Sequence, residues 1–98
     1  MRVISSATGN GSKILTACGP DLKRVILELG GKDALVVLGD ADVEAAATFA
    51  VHNSFRNAGQ VCVSTERIYV DNSIADEFES LVIEKTQQLK QGDPTDDS

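Results

Sequence analysis

The stretch Val25-Ile-Leu-Glu-Leu-Gly-Gly-Lys-Asp-Ala-Leu-Val-Val-Leu38, "VILELGGKDALVVL", holds two short apolar runs split by a double glycine. Val25 to Leu29 reads as a buried strand and Ala34 to Leu38 as a second, because each run is strand-length and bounded by breakers. Gly30-Gly31 ends the first run. Glu28 interrupts it. A carboxylate at the end of a buried strand is costly unless it is paired, protonated or facing a cavity. Ligands of open α/β sheets sit at the C-terminal ends of strands. Glu28 therefore reads in two ways: a general base with a raised pKa, or an edge-strand glutamate pointing to water.

Toward the N-terminus, Val3-Ile4 can end a short strand. Ser5 to Gly11, "SSATGNG", reads as a loop of small residues. Lys13 to Cys18 reads as a short helix stopped by Gly19-Pro20. On the other side, Asp40 or Asp42 caps a helix running to about Phe55, with Val43, Ala47, Ala50 and Ser54 on one face. Arg67 to Val70 is a further strand. Ser73 opens the last helix in a capping-box-like arrangement with Asp76. Ile74, Phe78, Leu81, Val82 and Leu89 form its apolar face, and Gly92-Asp93-Pro94 stops it. Strands alternating with helices predict an α/β architecture with parallel strands. A parallel sheet needs cover on both faces, so this short element count suggests a piece of something larger.

The chain has 98 residues, enough for one small domain at most. Three Phe and one Tyr are its only aromatics, so any core comes from Val, Ile, Leu and Ala. The formal charge of −6 argues against nucleic acid or an anionic membrane as partner. No apolar run is long enough to span a bilayer, and no targeting signal is visible at Met1. Cys18 and Cys62 are too few for a disulfide framework and too far apart for a CxxC pair or zinc knuckle. The expected setting is cytoplasmic or another reducing compartment. No second histidine stands at metal-ligand spacing from His52, which reads as a surface or interface residue. No metal site is expected.

Two further stretches bear on chemistry. "SSATGNGSKIL" places glycines before a helix, where backbone N–H groups can approach a phosphate. It is neither a P-loop nor a G-x-G-x-x-G turn, and taken alone it reads as an ordinary loop. "NAGQVCVSTER", Asn57 to Arg67, puts Cys62 just past the helix-breaking Gly59. Buried small cysteines are common, and Cys18 takes that reading. Cys62 lies at a junction, between polar Gln60 and Ser64. A thiolate there can attack an electrophilic carbonyl, with backbone amides stabilising the oxyanion.

Together these stretches resemble the aldehyde dehydrogenase superfamily over nearly the whole chain. "LELGGK" at Leu27 to Lys32 is similar to the family's glutamate motif, and "FRNAGQVC" at Phe55 to Cys62 to its nucleophile motif. "ERIYV", "DADVEAA" and "SIADEF" follow the family's habit, and the spacing of Glu28 and Cys62 suits the pair. The resemblance implies a partial aldehyde dehydrogenase-like α/β fold. Residues 1–30 would end a Rossmann-type NAD(P)-binding domain, and residues 31–98 would begin the catalytic domain.

It implies a catalytic pair: Cys62 attacks the aldehyde to give a thiohemiacetal, hydride passes to NAD or NADP, and Glu28 activates the water that hydrolyses the thioester. The Cys62 backbone N–H would help form the oxyanion hole. Leu29 and Gly30 would lie near the nicotinamide. Ser6 and Ala7 would stand in the phosphate-proximal turn, at positions where the family has glycine and serine, with Gly11 at its last glycine. The implied substrate is a small aldehyde, with a lean toward semialdehydes. The full-length enzyme would be a homo-oligomer, whereas the isolated chain is expected to be inactive. A different class of reading is a non-catalytic interaction module that keeps the fold remnant and pairs its open strands with a partner.

Overall fold

The computed structural model describes residues 2–5, 7–93 and 95. Two β-α-β units follow one another. In the first, β1 (Arg2–Ser5) leads through α1 (Thr8–Cys18) to β2 (Val25–Glu28), and β1 and β2 pair in parallel with Arg2 opposite Val25 and Ser5 opposite Glu28. In the second, β3 (Asp33–Val37) leads through α2 (Val43–Phe55) to β4 (Thr65–Val70), again in parallel. A last helix, α3 (Ala75–Gln87), packs beside α2. The expected α/β alternation and parallel pairing are both present. They are distributed over two separate two-stranded sheets.

Alternation decides which side of each strand is covered. Along β2, Val25 and Leu27 are half-buried while Ile26 and Glu28 are exposed. The covered side meets α1 at Gly11, which is buried; a Cβ there would lie 3.0 Å from Leu29 Cδ2 and 3.4 Å from Leu27 Cδ1. This contact corrects the expectation of a loop over Ser5 to Gly11. The helix begins at Thr8, three residues before Gly11, with Ala7 extended as its N-cap. The glycines lower helix propensity, but close packing on β2 outweighs that cost of about 1 kcal/mol per glycine.

In the second unit, Val37, Ala47, Ala50 and Phe78 form the buried core, with Leu35, Val43, Val70, Ile74, Leu81 and Val82 packed around it. Ala47 and Ala50 are small enough for α2 to approach both β3 and α3. Asp42 caps α2 by accepting from Ala45 N at 3.0 Å, and the face read from the sequence is the one that packs. The capping box at Ser73 does not form. Asp71 Oδ1 instead accepts from Ser73 N at 2.9 Å and from Ser73 Oγ at 2.7 Å, one turn before α3 begins. The helix also stops earlier than expected, at Gln87, which leaves Leu89 exposed beyond its end.

The other side of β2 and the other face of the β3–β4 pair are open. Val36 is 62% exposed and Tyr69 54%, so the buried-strand reading of "ALVVL" holds for one face only. The Cα radius of gyration is 18.7 Å, where a compact chain of this length has about 13 Å. The accessible surface of 7575 Å² likewise exceeds the roughly 5,400 Å² of a compact monomer of this mass. Among the described residues, no helix is long and apolar enough to cross a membrane.

Two outcomes follow from this packing. Phe78→Ala should destabilise the second unit by about 3–5 kcal/mol, read as loss of cooperative urea unfolding by circular dichroism. The Ser73 donors hold the Asp71 carboxyl below its ordinary value of 3.8. A depressed carboxylate contributes stability above its unfolded-state pKa and loses it as pH falls through the folded value. Carboxyl ¹³C NMR should place the Asp71 midpoint below 3.8, and Ser73→Ala should move it back up.

Candidate active site

The site is made where the Leu29–Lys32 loop, leaving β2, crosses the turn that follows α2. The end of α2 is unusual. Asn57, Ala58 and Gly59 follow it with φ of 53°, 55° and 74°. Asparagine tolerates the left-handed region and glycine occupies it freely, whereas Ala58 costs about 1–2 kcal/mol there. Strain of this kind persists only where surrounding structure over-determines it, and it clusters at functional sites. Here the surroundings are explicit. Asn57 Nδ2 donates to Gln60 O at 3.0 Å, Ser64 Oγ to Asn53 O at 3.1 Å and Ser54 Oγ to Thr65 O at 3.1 Å. The two serine hydroxyls stitch the last turn of α2 to the start of β4. The intervening residues, with Cys62 exposed among them, are thrown outward.

The opposing loop lies against that turn. A Cβ on Gly31 would stand 2.7 Å from the Cys62 carbonyl oxygen and 3.0 Å from Asp33 Oδ1, so only glycine fits. A Cβ on the neighbouring Gly30 would meet nothing within 4 Å. Arg67 Nε and Nη2 both donate to Lys32 O, at 3.2 and 2.9 Å. Lys32 Nζ pairs with Glu66 Oε2 at 3.0 Å. Between the two segments lies a cleft of about 330 Å³ lined by Leu29, Gly30, Gly31, Gly59, Gln60, Val61, Cys62 and Glu66. A larger cleft of about 640 Å³, with Val51, His52, Phe55 and Leu89 in its wall, holds neither Cys62 nor Glu28. Its volume is no argument for chemistry there.

The residues singled out from the sequence are thus brought together in part. Cys62, Leu29 and Gly30 share the smaller cleft. Glu28 is one residue away along the chain but is not in the cleft wall. It ends β2 exposed, because the side of β2 away from α1 is open. Of the two readings of Glu28, the exposed position matches the edge-strand glutamate pointing to water. Ala7 is exposed at the N-terminus of α1 and outside the cleft, and Ser6 lies outside the described residues. His52 is exposed, in keeping with a surface histidine.

With this geometry in view, comparison with known proteins is direct. The model of the aldehyde dehydrogenase family matches residues 3–98. The chain belongs to the aldehyde dehydrogenase family. It is 51% identical over 90 residues to a salicylaldehyde dehydrogenase of Pseudomonas sp. (strain C18), covering 92% of this chain and 19% of that protein. It is 44% identical to a 3,6-anhydro-alpha-L-galactose dehydrogenase of Vibrio sp. (strain EJY3), covering 98% of this chain and 20% of that one. A solved 3,6-anhydro-L-galactose dehydrogenase in complex with NADP superposes with a TM-score of 0.90 at 41% identity, over 97% of this chain and 20% of its own. The chain therefore spans about a fifth of the length of the relatives it matches, and its fold is a partial aldehyde dehydrogenase α/β fold.

Sequence reasoning missed four residues that line or brace this cleft: Gly31, Lys32, Glu66 and Arg67. "LELGGK" and "STER" were in view as motifs, but nothing in one dimension says that a lysine carbonyl meets an arginine far along the chain. The usable signal was the pattern of charges: a lysine directly after the double glycine, and a Glu-Arg pair soon after the cysteine. The paired glycines give a clean test. Gly31→Ala should destabilise the chain by about 1–3 kcal/mol through overpacking on the Cys62 turn, while Gly30→Ala stays near neutral. Urea unfolding of the two variants side by side checks it.

Proposed function

We propose that this segment supplies the nucleophile and the base of an NAD(P)-dependent aldehyde dehydrogenase that oxidises a small aldehyde to a carboxylic acid. The observation that carries the reading is the exposed Cys62 in one cleft with Leu29 and Gly30. In this reading residues 1–30 end the cofactor domain and residues 31–98 begin the catalytic one. The Cys62 sulfur adds to the aldehyde carbon, and the carbonyl oxygen takes a proton to complete a thiohemiacetal. Oxidation at that carbon leaves an acyl thioester on Cys62. Glu28, at the exposed end of β2, takes a proton from water. The resulting hydroxide attacks the acyl carbon, the C–S bond breaks, and the acid and the thiol are released. The Cys62 N–H is the oxyanion donor this chain offers.

The residues present fit a dinucleotide. The N-terminus of α1 has no side-chain cap and no acidic residue in its first turn, which suits a phosphate. Ser6 and Ala7 would hold it there, and Leu29 and Gly30 would border the nicotinamide. The cofactor, when bound, accepts the hydride. The relatives near half identity carry the names salicylaldehyde and vanillin dehydrogenase. These names widen the substrate class beyond the semialdehydes that "FRNAGQVC" suggested.

A second reading, a non-catalytic interaction module, is favoured by one observation: the sheet faces bearing Val36 and Tyr69 are open. A single chimera separates the two. The Pseudomonas salicylaldehyde dehydrogenase receives residues 3–98 of this chain in place of its own matching segment. The catalytic reading expects salicylaldehyde-dependent NAD(P)H formation, reduced at least about 1,000-fold by Cys62→Ala and strongly by Glu28→Gln. Cys18→Ala should leave activity intact. A folded, inactive chimera would leave the module reading standing. The 98-residue chain alone should form no NAD(P)H.

A further inference from the structure

The pairing of β3 with β4 contains one irregularity, and it falls beside the cleft. Asp33 stands opposite Thr65, yet Ala34 stands opposite Arg67. Glu66 is the extra residue, a bulge in a parallel ladder, where bulges are rare. Without it Arg67 would stand opposite Leu35, on the face that packs against the core. A one-residue slip moves every later side chain to the other face. With it, Arg67 shares the open face with Ala34, Val36 and Tyr69, and its guanidinium carbon lies 6.0 Å from the centre of the Tyr69 ring. From there the guanidinium reaches the Lys32 carbonyl with two nitrogens. The displaced Glu66 lines the Cys62 cleft and takes the Lys32 ammonium.

We infer that Arg67 is a positioning residue for the reaction proposed above, on which this inference rests: its two-pronged grip on the Lys32 carbonyl holds the loop after Glu28 against the Cys62 turn. The Lys32–Glu66 pair is exposed and adds little to stability. The arginine fork differs, since a planar two-nitrogen donor fixes direction as well as distance. Lysine in its place offers a single point contact. Loss of the grip frees the base-bearing segment relative to the acylated sulfur. Thioester hydrolysis depends on that alignment, because a misplacement of about 1 Å can cost on the order of 100-fold in rate. Attack of the sulfur on the aldehyde does not use the base and is spared.

The test uses the active chimera described above, with Arg67→Met and Arg67→Lys. Rapid mixing should give a burst of NAD(P)H of near one equivalent per site in both variants. The steady rate that follows should fall about 10- to 100-fold in Arg67→Met, with KM for the aldehyde within about threefold, and by less in Arg67→Lys. A burst and a steady rate that fall in the same proportion would mean lost active protein and would overturn the inference, as would two unchanged rates. If Arg67→Met does not fold, Arg67→Lys decides by the same comparison. Absence of any activity in the unsubstituted chimera would instead remove the catalytic reading itself and this inference with it. The two failures are therefore distinguishable.

Discussion

Everything about the site depends on one close approach: the backbone at Gly31 passing the carbonyl of Cys62, where a Cβ would come within 2.7 Å. Two β-α-β units meet there. The first contributes the loop leaving β2, the second the strained turn leaving α2. Neither segment has regular structure to hold it. Their contact is kept by the two hydrogen bonds from Arg67 to the Lys32 carbonyl. An arginine fork on a carbonyl is directional, so it suits a place where geometry matters more than stability.

The turn carrying Cys62 is built by opposing demands. Three consecutive left-handed residues bend the chain sharply, and Ala58 bears the steric cost. Ser54 and Ser64 offset it from below, each satisfying a backbone carbonyl across the junction of α2 and β4. Ser64 is buried, and its hydroxyl has a partner. The result is a rigid base under an exposed sulfur. Support below and openness above suit the nucleophilic role proposed for Cys62.

The open sheet faces are the counterpart of that site. A parallel pair of strands normally lies between two layers, and here β2 and the β3–β4 pair are each covered on one side. Glu28 shows the consequence. Its place at the end of β2 is the C-terminal strand end where ligands bind in α/β folds, yet with the far side of β2 uncovered its carboxyl stands in solvent. The relatives are about five times longer, and in a chain of that length such faces have material available to cover them.

The element types and much of the core were legible in the amino-acid order. Apolar runs bounded by glycine marked β2 and β3, the Asp42 cap and the Ala47–Ala50 spacing marked α2, and Phe78 stood on the buried side of α3. It also marked Cys62 as exceptional and carried the family likeness, because those readings rest on local pattern. It misjudged α1, where a tertiary contact at Gly11 overrode two glycines' weak helix propensity, and Ser73, whose hydroxyl turned back to Asp71. Three facts came from the packing alone: that Gly31 must be glycine, that a bulge at Glu66 turns Arg67 outward, and that Lys32 and Arg67 meet. Those facts depend on distances between segments far apart along the chain, and local propensity carries no information about such distances.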